Sequence, residues 1–248
     1  MIKNLNKPVV LTYSQRSSDR GSSDSELNLY CAAKAALSDI AEVMLVGHAN
    51  SSDDFCYALG GTKTRKMHSS RRDAFKAINS KPIAKISKDK IEVLRDYHKK
   101  NKNKAELDDK FEEKVALVKF YPGQSGEIID SYLKQGYKGL VIEMAGLGHV
   151  LTEGSGNWIP YIKAAVAKGM IICAAAQTIF GRLDPKVYSP GRELEVAGVI
   201  YLKDILSETA LVKLGWVLGH PEWKKNIKEK MLENISGEFN ERLGEDFI

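Results

Sequence analysis

Residues 115–120 read VALVKF, residues 139–144 read GLVIEM and residues 170–174 read MIICA. Helical patterns at 124–135 and 158–167 separate these three apolar runs. Alternation of strands and helices with short links is typical of a parallel sheet with right-handed crossovers. The second half of the chain is therefore predicted to be a small doubly wound α/β domain. Further helices are predicted at 206–218 and from residue 223 to the C-terminus.

The first half shows a second set of apolar strands, at 9–12, 42–47 and 55–59. Strands that are apolar over most of their length belong in a sheet that is covered on both faces. A helix follows the turn-forming residues 17–24, and Ser23 or Asp24 is predicted to cap it. Residues 1–6 resemble the end of a helix. The strand at 9–12 is accordingly expected to form an open edge of an incomplete parallel sheet.

Clustered charges divide the chain. We predict part of a larger domain at 1–98, a charged linker or helix at 99–114, the small domain at 115–220 and a helical tail at 221–248. The net charge of +5 mildly favours an anionic partner such as RNA. The run at 99–104 (KKNKNK) has no interleaved aromatic residues. We therefore favour a solvated linker there over a direct RNA contact.

Several classes of protein and site are disfavoured. No apolar stretch approaches the ~20 residues that span a bilayer, and no signal peptide is evident, so a cytoplasmic protein without a membrane partner is expected. The three cysteines are separated and have apolar neighbours, which indicates buried free thiols rather than a zinc site. The turn at 146–148 (GLG) lacks the third glycine of a dinucleotide site, since position 151 is leucine. The tryptophans are assigned to the core or an interface.

One segment contains the residues that indicate a catalytic function. Residues 65–75 read RKMHSSRRDAF and residues 77–84 read AINSKPIA. This segment resembles the strand and loop of the L-asparaginase family that hold the catalytic lysine, with Lys66, Phe75 and Asn79 at the matching places. The KMH and SRRD forms resemble the ammonia-releasing D subunits of archaeal glutamyl-tRNA(Gln) amidotransferases more than free asparaginases. Further matching blocks in the same order lie at 15–24, 137–139, 146–149, 177–182, 187–189 and 208–220.

The resemblance implies a two-domain asparaginase-like α/β fold with parallel sheets, of which the N-terminal domain is incomplete. It also implies that a threonine hydroxyl attacks the side-chain amide of glutamine, while a second threonine, an aspartate and a lysine handle protons. A threonine hydroxyl needs an adjacent base, and a buried lysine beside a carboxylate can serve. Lys66 is assigned to that role.

The resemblance leaves the roles of one histidine and two arginines with alternatives. His149, in the turn that reaches a neighbouring protomer in the resembled enzymes, is a candidate substrate contact; alternatively it only caps the turn. Arg71 and Arg72 face RNA or glutamate, or else remain solvated or pair with Asp73, which we favour.

The chain departs from the family pattern at the nucleophile. Neither the Thr-Gly-Gly-Thr-Ile segment nor the Gly-Thr-Asp-Thr segment of the family occurs in this sequence. The resemblance places both before Met1, and neither Thr64 nor Asp73 can replace them on sequence grounds. A split gene, a fragment of a longer gene and a decayed remnant are the open explanations. The chain alone is expected to be inactive.

The resemblance also predicts partners. They are an N-terminal polypeptide or missing segment, a second copy of the completed subunit, glutamine, and an amidotransferase E subunit that binds tRNA(Gln). No cofactor is expected in this chain, whereas ATP and magnesium are expected on the E subunit. A free cytoplasmic L-asparaginase or glutaminase, and a non-catalytic scaffold, are the alternatives.

Overall fold

The computed structural model describes residues 1–242. Two compact units divide these residues, Met1–Asp108 and residues 109–242. The boundary between them falls inside the charged segment 99–114. No helix within the described residues combines the length and the apolar character needed to cross a membrane.

A mixed five-stranded sheet forms the centre of the first unit. The elements of this unit are β1 (Ile2–Lys3), β2 (Val9–Thr12), α1 (Ser25–Leu37), β3 (Val43–His48), β4 (Cys56–Gly60), β5 (Thr64–Lys66), β6 (Phe75–Ala77), β7 (Ala84–Ile86), β8 (Ile91–Val93) and β9 (Glu106–Leu107). The central sheet has the order β2-β3-β4-β7-β8, while β5 and β6 form a separate hairpin.

Strand direction in the first unit differs from the prediction. Only β2 and β3 pair in parallel; β4, β7 and β8 each pair antiparallel with the strand before them in the sheet. The seven residues between β3 and β4 are too few for a parallel crossover, which needs about a dozen. The expectation of a wholly parallel sheet in this half is therefore wrong.

Helix α1 covers one face of this sheet. Its buried residues Leu27, Cys31 and Ala35 pack in a core with Met44 and Val46 of β3. Strand β2, on which Leu11 is exposed, lies at an end of the sheet. All three cysteines are buried and free, as predicted.

The N-terminal residues do not end a helix as predicted. Strand β1 pairs antiparallel with β9, so that Ile2 lies opposite Leu107. An ion pair of 2.7 Å between Lys3 and Asp108 reinforces this pairing. The helix expected beside the linker is likewise absent from residues 99–114, in which the regular element is the two-residue strand β9.

The second unit is a four-stranded parallel sheet, as predicted. Its elements are β10 (Val115–Lys119), α2 (Ile128–Lys134), β11 (Gly139–Met144), α3 (Ile159–Ala167), β12 (Ile171–Ala176), α4 (Ser189–Val196), β13 (Ile200–Tyr201), α5 (Ser207–Leu218) and α6 (Ile227–Leu232). The order is β10-β11-β12-β13, and every pair is parallel. All six residues of β11 are buried, since helices cover both faces of such a sheet.

Only part of the predicted C-terminal helix forms. Within the described residues, the helical part of the tail is a short 3₁₀ turn (Pro221–Trp223) and α6. Beyond α6 the carboxylate of Glu238 accepts the backbone N–H groups of Ile235 and Ser236. Gly237 has a φ of 72°, which an α-helix does not allow. Residues 243–248, the end of the predicted tail, lie outside the described residues.

Candidate functional site

Lys66 ends strand β5 of the hairpin, directly opposite Phe75 of β6. Its Nζ lies 5.6 Å from the centroid of the Phe75 ring. That ring packs on Tyr13, with 4.6 Å between the centroids, and Tyr13 is the first residue after β2. Lys66 is thus connected through two aromatic rings to the carboxyl end of β2. Ligands of open α/β sheets bind at the carboxyl ends of strands.

Lys66 is exposed, contrary to the expectation that it is buried beside a carboxylate. The aspartate that the family resemblance places next to this lysine belongs to the Gly-Thr-Asp-Thr segment. This chain does not contain that segment. The Lys66 ammonium therefore faces solvent and the Phe75 ring instead. A ring at this distance attracts a cation.

Tyr13 is held between the sheet and the hairpin loop. Gly47 of β3 makes room for it, because a Cβ on Gly47 would lie 2.3 Å from Cε1 of Tyr13. The Tyr13 hydroxyl donates to the carbonyl oxygen of Arg72 at 3.0 Å. Burial raises the pKa of the Tyr13 phenol, so the group remains a hydrogen-bond donor at neutral pH.

Asp24 fixes the loop that follows β2. It is fully buried. Its carboxylate accepts the backbone N–H groups of Gln15 and Arg16 at 3.0 and 2.9 Å, and the side-chain amide of Asn28 at 3.2 Å. Burial alone would raise the pKa of this carboxyl, but hydrogen bonds from the backbone N–H groups of Gln15, Arg16 and Asp24 itself and from the Ser14 hydroxyl hold the pKa below its ordinary value.

Asp24 precedes α1 but provides no side-chain cap to it, so the capping role predicted for Asp24 is wrong. The alternative, Ser23, accepts the N–H of Ser25, the first residue of α1, through its hydroxyl oxygen at 3.2 Å.

His48 connects the end of β3 to helix α1 and to the loop between β3 and β4. Its Nδ1 lies 2.6 Å from Oδ1 of Asn28, and its Nε2 lies 2.9 Å from Oδ1 of Asp53. Both oxygens are acceptors, because the Asn28 amide nitrogen already donates to Tyr13 and Asp24.

The two arginines after Lys66 have different partners. Arg71 binds Asp73 through two hydrogen bonds of 2.9 and 3.1 Å, which confirms the favoured internal pair. Arg72 instead donates to Asp53 at 2.7 Å. Burial would raise the pKa of Asp73, but Lys76 at 2.8 Å and Arg71 hold it below its ordinary value.

His149 lies in the second unit, in the turn after β11. Gly146 and Gly148 have φ values of 54° and 110°, and the Ala145 N–H donates to the carbonyl oxygen of His149 at 3.0 Å. The backbone therefore closes this turn. The imidazole packs edge-on against Tyr188 at 5.5 Å between centroids. Its Nε2 is buried and has no hydrogen-bond partner within the described residues.

The site contains residues that sequence reasoning did not assign. Tyr13, Asp24 and His48 form the scaffold around the Lys66 hairpin, yet each lies far from Lys66 in sequence. Gly47 was the available signal, because a glycine inside an apolar strand indicates a close approach of another group. Within residues 1–242 no cluster of metal-binding side chains occurs.

Two family models match consecutive parts of the chain. The model described as "Asparaginase, N-terminal" matches residues 1–99, and the "Glutaminase/Asparaginase C-terminal domain" matches residues 114–231. In three dimensions the chain is similar to the thermostable L-asparaginase from Thermococcus kodakarensis. The TM-score is 0.87 and the identity 28%, over 98% of this chain and 70% of that enzyme.

Curated relatives are more similar in sequence. The D subunit of the glutamyl-tRNA(Gln) amidotransferase of Thermococcus kodakarensis is 53% identical over 240 residues, and that of Pyrococcus furiosus is 55% identical over 240 residues. Each match covers 96% of this chain but 54% of the relative. The chain therefore spans about half the length of the curated relatives that it matches. From these matches and the shared fold, the chain belongs to the glutaminase/asparaginase family.

Proposed function

We propose that this chain is part of the glutaminase subunit of a tRNA-dependent amidotransferase that converts Glu-tRNA(Gln) to Gln-tRNA(Gln). The identity of 53% to the D subunit of an archaeal amidotransferase, over nearly the whole chain, carries this proposal. In the proposed reaction the glutamine side-chain amide is hydrolysed and ammonia passes to the tRNA-bound glutamate. An enclosed route for ammonia is required, because water would protonate it.

In this proposal Lys66 handles protons for an attacking threonine hydroxyl. The hydroxyl and its neighbouring aspartate come from a segment that residues 1–248 do not contain. Once that aspartate lies beside Lys66, the amine and the carboxylate form the adjacent proton-handling pair that a threonine hydroxyl requires. Lys66 is exposed, and the Phe75 ring beside it packs on Tyr13 at the carboxyl end of β2. Both observations support this arrangement.

His149 is proposed to contact the substrate. Its buried, unpartnered Nε2 supports a ligand there. In the family pattern this turn serves the active site of a neighbouring protomer, so the completed subunit is proposed to act as a homodimer. The proposal also includes an E subunit that binds tRNA(Gln), ATP and magnesium, and a cytoplasmic location.

A free L-asparaginase is the second candidate. The similarity of the fold to the thermostable L-asparaginase of Thermococcus kodakarensis favours it. The identity to that enzyme is 28%, about half of the identity to the amidotransferase D subunits. A non-catalytic scaffold is the third candidate.

The test is reconstitution. The chain is co-expressed with the part of an archaeal D subunit that carries the threonine segments, and with the corresponding E subunit. We expect stoichiometric co-purification, ammonia release from glutamine, and Gln-tRNA(Gln) formed from Glu-tRNA(Gln), ATP and magnesium. A preparation that hydrolyses asparagine but never binds an E subunit would support the free asparaginase instead. A complex that assembles but releases ammonia from neither glutamine nor asparagine would support the non-catalytic scaffold.

A further inference from the structure

A small cleft of about 290 Å³ lies beside the loop that follows β2. It belongs entirely to the first unit and is lined by three arginines, two serines and one aspartate: Arg16, Ser22, Ser51, Arg71, Arg72 and Asp73. Such a lining offers many hydrogen-bond donors and a single carboxylate. Guanidinium groups provide planar, two-pronged recognition of oxyanions.

Two of the three guanidiniums are held in place by carboxylates. Arg71 is fixed by the buried Asp73, and Arg72 by Asp53 and by the carbonyl oxygen of Ser51. Each of these pairs leaves further N–H groups of the guanidinium unused, since arginine carries five. The paired arginines are therefore oriented donors whose positive charge is partly compensated.

Arg16 differs from the other two. Its backbone N–H donates to the buried Asp24 at 2.9 Å, and its carbonyl oxygen accepts the Ser23 hydroxyl at 3.2 Å. The backbone of Arg16 is thus fixed, while its exposed guanidinium makes no ion pair with any of residues 1–242. A fixed backbone with an unpaired charge at the rim is the expected arrangement for binding an anion from solution.

The charge of the chain is distributed unevenly between the units. Residues 1–108 contain 20 lysines and arginines against 13 aspartates and glutamates, whereas residues 109–242 contain 17 against 17. The net positive charge of the described residues therefore resides in the unit that contains the cleft. A basic surface of this extent attracts a polyanion more than a small monoanion.

We propose that this cleft binds a phosphate group of an RNA backbone, with Arg16 as the principal charged contact. The inference rests on the proposed tRNA-dependent function and adds to it a direct contact between this chain and the RNA. The Ser22 and Ser51 hydroxyls line the same cleft and are suited to donate to the phosphate oxygens. Contacts of this type position a nucleic acid without reading its sequence.

The test measures binding of tRNA transcripts to the reconstituted complex at several salt concentrations. Arg16→Ala is expected to weaken binding about tenfold, the loss of one charge-assisted hydrogen-bonded contact. It is also expected to reduce the slope of log K against log salt by about one. Arg16→Lys should restore the slope but only part of the affinity. Lys225→Ala, which removes an exposed charge from the second unit, should change neither quantity.

Unchanged tRNA affinity and salt slope in Arg16→Ala would overturn the proposal. If Arg16→Ala instead raised the KM for glutamine while RNA binding stayed intact, the cleft would take a small carboxylate and the RNA assignment would fail. Glutaminase activity without tRNA is measured in parallel. A loss of RNA binding alone therefore remains distinguishable from a failure of the proposed hydrolytic function.

Discussion

At Asp24 a single buried carboxylate organises the loop that carries Tyr13 and Arg16. We expect Asp24→Asn to lower the free energy of unfolding by about 2–3 kcal/mol at neutral pH, because the new amide presents donors to the N–H groups of Gln15 and Arg16. Urea unfolding measures this difference. Asp19→Asn, an exposed change in the same loop, serves as the control and should be near neutral.

The same carboxylate predicts a pH dependence. The pKa of Asp24 is lowered in the folded protein. Its contribution is therefore complete above the unfolded pKa of about 4 and is lost as the pH falls through the lower, folded value. The difference in stability between the wild type and Asp24→Asn should be constant above about pH 5 and should shrink below about pH 4. A difference that grows on acidification would contradict the assigned role.

Residue by residue, the sequence predicted some of the site and missed the rest. Lys66 and Phe75 were found because they lie in one short motif, and the structure places them in contact. Tyr13 and His48 were not found, because contacts between residues that are distant in the chain leave no local pattern. The burial expected for Lys66 was wrong, since burial depends on the neighbours that a chain contains.

At the scale of elements, Gly47 allows strand β3 to accept the Tyr13 ring. We expect Gly47→Ala to destabilise the protein by about 1–3 kcal/mol, because the added methyl group overlaps a packed aromatic ring. Gly21→Ala, where a Cβ would meet no atom within 4 Å, is the matched control. Thermal unfolding of the two variants checks this. Equal midpoints would show that Tyr13 does not depend on the glycine.

The segment after α6 is attached to α5 by a buried ion pair. Lys213 and Glu238, each 4% exposed, are 2.6 Å apart, and Lys213 also donates to the carbonyl oxygen of Glu233. We expect Lys213→Met to cost about 3–5 kcal/mol, because it leaves a buried carboxylate unpaired. The double variant Lys213→Met/Glu238→Leu should recover part of this loss.

A surface pair provides the comparison. Lys110 and Glu222 are 2.9 Å apart but about half exposed, so Lys110→Met should change the stability by less than about 1 kcal/mol. Chemical unfolding of all three variants measures these effects. A loss in Lys110→Met as large as that in Lys213→Met would show that burial does not govern the contribution of these pairs.

Element predictions succeeded where periodicity was strong. The parallel sheet of the second unit was predicted from apolar runs separated by helical patterns. Helix α4 and strand β13 were missed, since β13 is two residues long and carries almost no pattern. The mixed pairing in the first unit was missed because apolar content does not encode strand direction. The length of the link between β3 and β4 would have indicated it.

At the scale of the whole molecule, the asparaginase family fold provides two units of different charge. The first unit contains the Lys66 hairpin, the edge strand β2 and most of the positive charge. The second contains the parallel sheet and the turn with His149. The family was recognisable from sequence because several matching blocks occur in one order.

The principal proposal for this chain is that Lys66 serves an attacking hydroxyl contributed by residues outside the chain. Its most direct test is ammonia release from glutamine by the reconstituted complex, with the wild-type chain and with Lys66→Met. We expect the variant to assemble normally and to lose at least about 100-fold in kcat, the lower range for a proton-handling group. Lys90→Met, a comparably exposed lysine of the same unit, should retain full activity. Undiminished glutamine hydrolysis by Lys66→Met would contradict the account.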